Sequence, residues 1–305
     1  MKTIGFDTSN YTTSIAYFDS EHGVNCSRLL PVKPGELGLR QSDAVFSHIK
    51  SLPELSGRLF SDLDDMKDIT SIAVSTRPRA VEGSYMPCFM VGYSHAKMLS
   101  DSLHVPLFEV SHQQGHVAAC LWSAGRLDLM DTPHLAWHLS GGTTELLLVE
   151  PDGRNVKCTK IGGTTDISAG QLIDRTGVML ELPFPAGKHL DALAATSDCR
   201  DVFKVKCPGL EFSLSGVQNK VQQYALAHTA ADTAAYALRC VCHAVSIATL
   251  NAKKAYPGLE VVFSGGVTAN SMLRNVMQDA IFCAPAFSTD NAMGVAVLGA
   301  RLLEG

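Results

Sequence analysis

The chain states one local grammar twice, and that repetition limits what it can fold into. The grammar is a strand, a turn of small polar residues and a second strand, with a helix and a further strand following. The first copy opens the chain. KTIGFDTS reads as a strand, Ser9-Asn10 as a turn and TTSIAYFDS as a second strand. Glu21-His22-Gly23 makes the next turn, and Val24 to Leu30 a third strand, which gives a β-meander. A polar loop with Pro31, Pro34, Gly35 and Gly38 follows. Apolar positions at Val45, Ile49, Leu52, Leu55, Leu59 and Leu63 then predict a helix from Ser42 to Asp64. Pro53 should break or kink it. ITSIAVST reads as a buried strand, FMVGYSHAKMLSDSL as a helix and VPLFEV as a strand, an order that implies a parallel crossover.

The second copy starts at PHLAWHLSGGTTELLLVEPDG, a strand, a Gly-Gly turn and a strand. A helical region runs from about Asp166 to Leu180, and a long Ala- and Val-rich helix from roughly Thr229 to Lys254. LEVVFSGGVTAN gives a strand and a Gly-Gly turn, with a helix from near Asn270. TDNAMGVAVLGARLL is a small-residue helix. The expected architecture is α/β with two fused lobes, 1–128 and 129–290. Their boundary falls in the loop Ser123–Thr132, and the helix from about 291 to 305 packs back on the first lobe. The length of 305 residues leaves room for two such lobes, and 46 % hydrophobic against 18 % charged residues can build their cores.

Charge and cysteine content narrow the function. The net charge of −5 provides no global basic field, so a nucleic-acid role needs a local patch or a partner protein. The nine cysteines are odd in number and irregularly spaced, with only Cys240 and Cys242 close together. They read as free thiols in a reducing compartment. The N-terminus begins with a strand and has no apolar leader, and no run of 18 apolar residues occurs. The expected location is the cytoplasm, without a membrane span.

Two features carry chemistry. His112 and His116, in VSHQQGHVAAC, follow a strand. On a helix the four-residue spacing stacks both imidazoles on one face, a ready pair of metal ligands that a carboxylate from elsewhere would complete. No glutamate lies between them to act as the base of a zinc protease. A lone pair at this spacing also occurs without a metal. The second feature is the set of turns FDTSNYTTS, HLSGGTTEL and FSGGVTAN. Such turns expose backbone N–H groups that suit phosphate oxygens, although none matches GxGxxG or the Walker lysine motif. One SGG is an ordinary hairpin turn; three, placed at the lobe starts and before the last helices, suggest a nucleotide clamped between lobes.

These residues resemble the superfamily of actin, the sugar kinases and the heat-shock ATPases, and within it the TsaD family of tRNA threonylcarbamoyltransferases. The resemblance is collinear from Gly5 to Leu303. SHQQGH is similar to the family's metal-binding HxxxH, and LSGGTTELLLV to its phosphate turn. DISAGQLIDRTGVMLELPFPAGKHLDALA resembles the ribose-holding stretch, FSLSGVQ the segment FSFSGLK, VVFSGGVTANSMLR the adenosine turn and FSTDNAMGVAVLGA the final CTDNGAM segment. The resemblance implies a two-lobed actin-like (ribonuclease H-like) ATPase fold, with mixed sheets flanked by helices and an interlobe nucleotide cleft. It implies His112, His116 and Asp290 as ligands of one Fe(II) or Zn(II), with open positions. His138, Leu139, Ser140, Gly141 and Gly142 would contact the phosphoryl and carbamoyl end. Asp174, Gly187 and Asp191 would contact the ribose and adenylate, and Asn270 the adenine side. The implied reaction is metal-dependent transfer of threonylcarbamoyl from threonylcarbamoyl-AMP to the adenosine beside the tRNA anticodon. The implied partners are tRNA, partner proteins, and a homodimer or heterodimer formed through the first-lobe helices.

The sequence departs from the family in three places. Where the family reads ETSCDET this chain reads DTSNYTT, so Tyr11 and Thr12 replace an acidic pair while Asp7 is kept. Where the family has GPGL, STRPRAVEGSYMP brings Arg77 and Arg79, candidates for phosphate or tRNA contact or residues of a solvated loop. Ile167 and Gln171 replace acids of the ribose stretch. Asp7, Thr12, Arg77 and Arg79 are therefore candidate catalytic or anion contacts in a divergent paralogue. A nucleotide-binding scaffold, or carbamoyl or phosphoryl transfer to another small substrate, are the alternatives. His48 falls where the family has a helical histidine, and its plain reading is a surface or packing residue. Asp290-Asn291 could also cap the last helix.

Overall fold

The structure, a computed structural model, describes residues 1–31, 39–61, 63 and 66–305. The Pro34, Gly35 and Gly38 loop and the expected helix end at Asp64 lie outside the described residues. β1 (Thr3–Thr8), β2 (Thr12–Phe18) and β3 (Gly23–Leu29) form the meander, followed by α1 (Gln41–Ser61), β4 (Ser71–Arg77), α2 (Phe89–Leu103), β5 (Leu107–Ser111) and α3 (His112–Ser123). The sheet order is β3-β2-β1-β4-β5, with β2 antiparallel and β4 parallel to β1, and β5 parallel to β4.

Side chains alternate across β1, and this alternation places the functional centre. Ile4 and Phe6, with Ile72 and Val74 of β4, meet Leu52, Leu55 and Leu59 of α1 and Val91 and Ala96 of α2. Pro53 does not break α1. It lies on the exposed side, opposite Leu52, Leu55 and Leu59, where the carbonyl it deprives of a partner can face water. The other face of β1, with Thr3, Gly5 and Asp7, turns toward the last helix, and the fit there leaves no room for a side chain. A Cβ on Gly5 would lie 2.6 Å from Ala296 N.

The second half contains β6 (His134–Leu139), β7 (Thr144–Asp152), β8 (Asn155–Thr164), α4 (Ala169–Met179), α5 (Gly187–Ala194), β9 (Glu211–Phe212), α6 (Ser215–Ala225), α7 (Ala230–Ala255), β10 (Val261–Ser264), α8 (Ser271–Val276), β11 (Ile281–Phe282) and α9 (Met293–Leu303). Its sheet order is β11-β10-β6-β7-β8-β9. Without β9, this is the first sheet's order again: β7 is antiparallel to β6, while β10 is parallel to β6 and β11 to β10. The repeated sequence grammar is thus a repeated topology. The alanine-rich α7 is long and apolar enough to cross a membrane by length and composition alone. However, 72 % of its most apolar window is buried, against β6 and β10 residues such as Leu135, Trp137 and Phe263. Trp137 Nε1 donates to Thr249 Oγ1 of α7 at 2.9 Å.

The chain forms two compact units. The first is Met1–Thr132 with Glu150–Cys158 and Ala286–Gly305; the second is Pro133–Val149 with Thr159–Pro285. These units differ from a simple division at 128/129 and 290 in two places. The β7–β8 tip joins the first unit, where Gln114 Nε2 of α3 donates to Val156 O at 2.7 Å. Residues 286–290 also join it, because α9 packs on β1, β4 and α3.

Candidate functional site

Asp7 follows Gly5 on the small-residue face of β1 and is fully buried. Ser75 of β4 donates its hydroxyl to Asp7 Oδ1. His112 Nδ1–H donates to Asp7 Oδ1 and Oδ2 at 2.9 and 3.1 Å. This hydrogen bond fixes the tautomer and points His112 Nε2 along α3. The helix start is set by Ser111, whose hydroxyl accepts from Gln114 N while Gln114 Oε1 accepts from Ser111 N, a capping box. One turn on, His116 Nε2 lies 2.9 Å from His112 Nε2. Gly294 of α9 lets Asp290 complete the group: a Cβ there would run into Gly115 O and come within 2.6 Å of Ala119 N, so α9 lies flush on α3. Asp290 Oδ1 lies 3.3 Å from His116 Nε2 and 3.6 Å from His112 Nε2. Its Oδ2 accepts from Ser9 Oγ at 2.7 Å.

The three ligand atoms of His112, His116 and Asp290 lie within 4.8 Å of one another. Two imidazole nitrogens and one carboxylate oxygen suit Fe(II) or Zn(II). Asp7 behind His112 supplies the carboxylate–histidine support common at such centres. Asp290 does not cap α9, whose N-cap position is Ala292; Asn291 before it accepts from Met293 N at 3.0 Å.

Two opposing shifts set a pH window for the metal-free protein. Burial disfavours charge on His112, but the Asp7 and Asp290 carboxylates outweigh it and hold the imidazole well above its usual range. Burial disfavours charge on Asp290 too, and His112 and His116 outweigh it and hold the carboxyl well below its usual range. The His112 contribution to stability is complete below about pH 6.5 and lost as pH rises through its raised pKa. The Asp290 contribution is complete above about pH 3.9 and lost as pH falls through its lowered pKa. Thermal melts of the metal-free protein should therefore fall off above neutrality, and Zn(II) should abolish that fall. A metal-free profile that stays flat between pH 6 and 9 would contradict the assignment.

The other residues of the first unit divide. Thr12 is buried at the head of β2, 4 % exposed, and Tyr11 beside it is 47 % exposed. Arg77 ends β4 in register with Ser111, directly before His112, and is partly buried; Arg79 is exposed on the following loop. His48, expected at the surface or in packing, is fully buried and hydrogen-bonded to the first turn. Asp7, Ser75, Ser9 and His48 join one hydrogen-bonded network with His112 and Asp290, from sequence positions far from them. Only the proximity of Ser9 to Asp7 in FDTSN offered a local signal.

In the second unit the two SGG turns lie side by side, because β10 pairs with β6 so that Ser264 is opposite His138. Gly265 is required between them. Its φ is +94°, and a Cβ would strike Leu139 O. His138 Nδ1 lies 3.2 Å from Ser264 Oγ. Leu139 is a core residue whose side chain is fully buried, so only its backbone can meet a ligand. Ser140 N donates to Thr143 O at 2.8 Å, and Ser168, the cap of α4, donates its hydroxyl to Gly141 O at 2.6 Å. Gly141, Gly142 and Gly187 border open space. Asp174 is raised by burial, and its Oδ1 accepts from Ala186 N at 2.9 Å. Asp191 accepts from Asn270 Nδ2 at 3.0 Å and from Ser271 Oγ at 2.9 Å, while Asn270 caps α8 through Leu273 N. The structure thus gathers His138–Gly142 into one turn and Asp191 with Asn270 into one cluster.

None of the nine cysteines is in a disulfide. Burial pushes Cys88 and Cys240 up to about 11, and Cys158 and Cys242 to about 12, so none of these four is primed as a thiolate nucleophile.

Residues 38–297 match the family described as TsaD: tRNA N6-adenosine threonylcarbamoyltransferase. The chain belongs to that family. The tRNA N6-adenosine threonylcarbamoyltransferase of Desulfotalea psychrophila is 30 % identical over 278 residues, covering 83 % of this chain and 77 % of that one. Among solved structures, HypF of T. kodakarensis aligns with a TM-score of 0.63 at 14 % identity, over 100 % of this chain and 48 % of HypF. The ROK hexokinase of Thermus thermophilus aligns at 0.52 and 14 % identity, over 100 % and 99 % of the two chains. At these identities the likeness is one of fold, and the TsaD-family chain has the actin-like ATPase and ROK-kinase fold.

Proposed function

We propose that the protein transfers the threonylcarbamoyl group from threonylcarbamoyl-AMP to the N6 amine of an adenosine in tRNA, using one Fe(II) or Zn(II). The observation that carries this reading is the His112–His116–Asp290 set with Asp7 behind it, in a chain of this family. A metal there would act as a Lewis acid on a substrate oxygen. The chain's own residues do the rest. Asp7 holds the ring of His112, and Ser9 holds Asp290. Backbone N–H groups of Gly141 and Gly142, which border open space, suit phosphate and developing negative charge. Asp174 and Asp191 have the acceptor chemistry that ribose hydroxyls need, each with carboxylate capacity beyond its present bonds. Arg77, beside Ser111, offers a cation for a phosphate of the adenylate or the tRNA. In the transfer, the adenosine nitrogen bonds to the carbamoyl carbon, the bond from that carbon to the phosphate oxygen breaks, AMP leaves and the amine proton passes to water.

Incubation with threonylcarbamoyl-AMP and unmodified tRNA should yield threonylcarbamoyladenosine, and His112→Ala should lower the rate at least about 100-fold. One specific observation favours a second reading, a nucleotide-binding scaffold. Exposed Tyr11 and buried Thr12 stand where the family has acids. Adenylate binding without product would support the scaffold and overturn the transferase.

A further inference from the structure

We infer that His48 of α1 is a positioning residue of the metal centre, acting through Ser9. His48 is fully buried. Burial pushes its pKa down, so the ring is neutral and carries one N–H. Its Nε2 lies 2.9 Å from Ser9 O, a carbonyl that can only accept, so the proton is on Nε2. Nδ1 then accepts from Thr13 Oγ1 at 2.7 Å. One imidazole thus pins both ends of the turn between β1 and β2. Gln41, seven residues earlier on the same face of α1, holds the turn's middle by donating to Asn10 Oδ1 at 2.7 Å.

The pinned turn presents Ser9 Oγ to Asp290 Oδ2 at 2.7 Å. That bond occupies one carboxylate oxygen and leaves Oδ1, the atom nearer both histidines, as the ligand. A relay from His48 through Ser9 therefore keeps Asp290 monodentate and preserves open positions for substrate. Tyr11 and Thr12 can differ from their acidic counterparts while the turn keeps this task. The relay rests on the metal reading above, and the test separates the two.

Metal-free protein is titrated with Co(II) alone, whose visible spectrum reports coordination. Ser9→Ala and His48→Ala should each weaken Co(II) binding about 10- to 100-fold and alter the spectrum. The double variant should be no weaker than Ser9→Ala, because both residues act on one carboxylate oxygen. His48→Gln, which keeps an N–H for Ser9 O, should restore affinity to within about threefold and the wild-type spectrum, and it also serves if His48→Ala fails to fold. Thermal melts of every variant identify such a failure. Wild-type protein that binds no Co(II) overturns the metal reading and the relay together. Wild-type binding with unchanged affinity in Ser9→Ala, or a His48→Ala loss that persists undiminished in the Ser9→Ala background, overturns the relay alone.

Discussion

Gly294→Ala should lower the melting temperature of the protein by about 5–10 °C, corresponding to about 3 kcal/mol. A single added methyl group would meet Gly115 O and Ala119 N, both backbone atoms of α3. Neither can rotate aside as a flexible side chain would, so α9 must lift from α3. The lift carries Asp290 away from His112 and His116, and metal binding should fall with stability. Ala300, buried elsewhere on α9, provides the contrast. Ala300→Gly should cost about 1 kcal/mol through helix propensity and leave metal affinity unchanged. A Gly294→Ala protein with wild-type melting and full metal content would show that α9 does not fix the site.

Asp7→Asn should weaken metal binding about 10- to 100-fold and transfer by a similar factor. The side chain keeps its size and an acceptor for Ser75 and His112, so folding is largely preserved. What goes is the negative charge beneath His112. The imidazole of the metal-free variant should then titrate lower than in the wild type, because the Asp7 charge is the leading contribution that raises it against burial. NMR titration of the His112 ring reads this directly. An unchanged His112 pKa together with unchanged metal affinity would refute the role given to Asp7.

The legible and illegible parts of the fold differ for physical reasons. α2 was readable to its ends, since FMVGYSHAKMLSDSL is periodic and bounded by Pro87 and Pro106. The HxxxH pair was legible because its geometry is local to one helix. Asp7 is legible in the sequence only as a candidate without a partner, because His112 lies 105 positions away and only the pairing of β1, β4 and β5 brings them together. The sequence marks His48 only as a surface or packing residue, because helical periodicity shows a buried face but not a hydrogen-bond partner. β8 went unrecognised since Gly162-Gly163 interrupts its alternation. α6 buries only Val217 and Val221, and α5 only Leu190 and Ala194, too few apolar positions to stand out. Pro53 misled for the opposite reason: a proline on an exposed helix face removes a bond that water replaces.

The membership of residues 286–305 in the first unit has a consequence for synthesis. The ribosome finishes the meander and α3 early, yet the helix that covers β1 and brings Asp290 to the histidines emerges only after the whole second unit, on the order of ten seconds later. The small-residue face of the first sheet stays uncovered throughout that interval. A nascent chain that stalls before Asp290 holds both imidazoles with Asp7 alone and without the second carboxylate, so assembly of the His112–His116–Asp290 group reports that translation has run past residue 290.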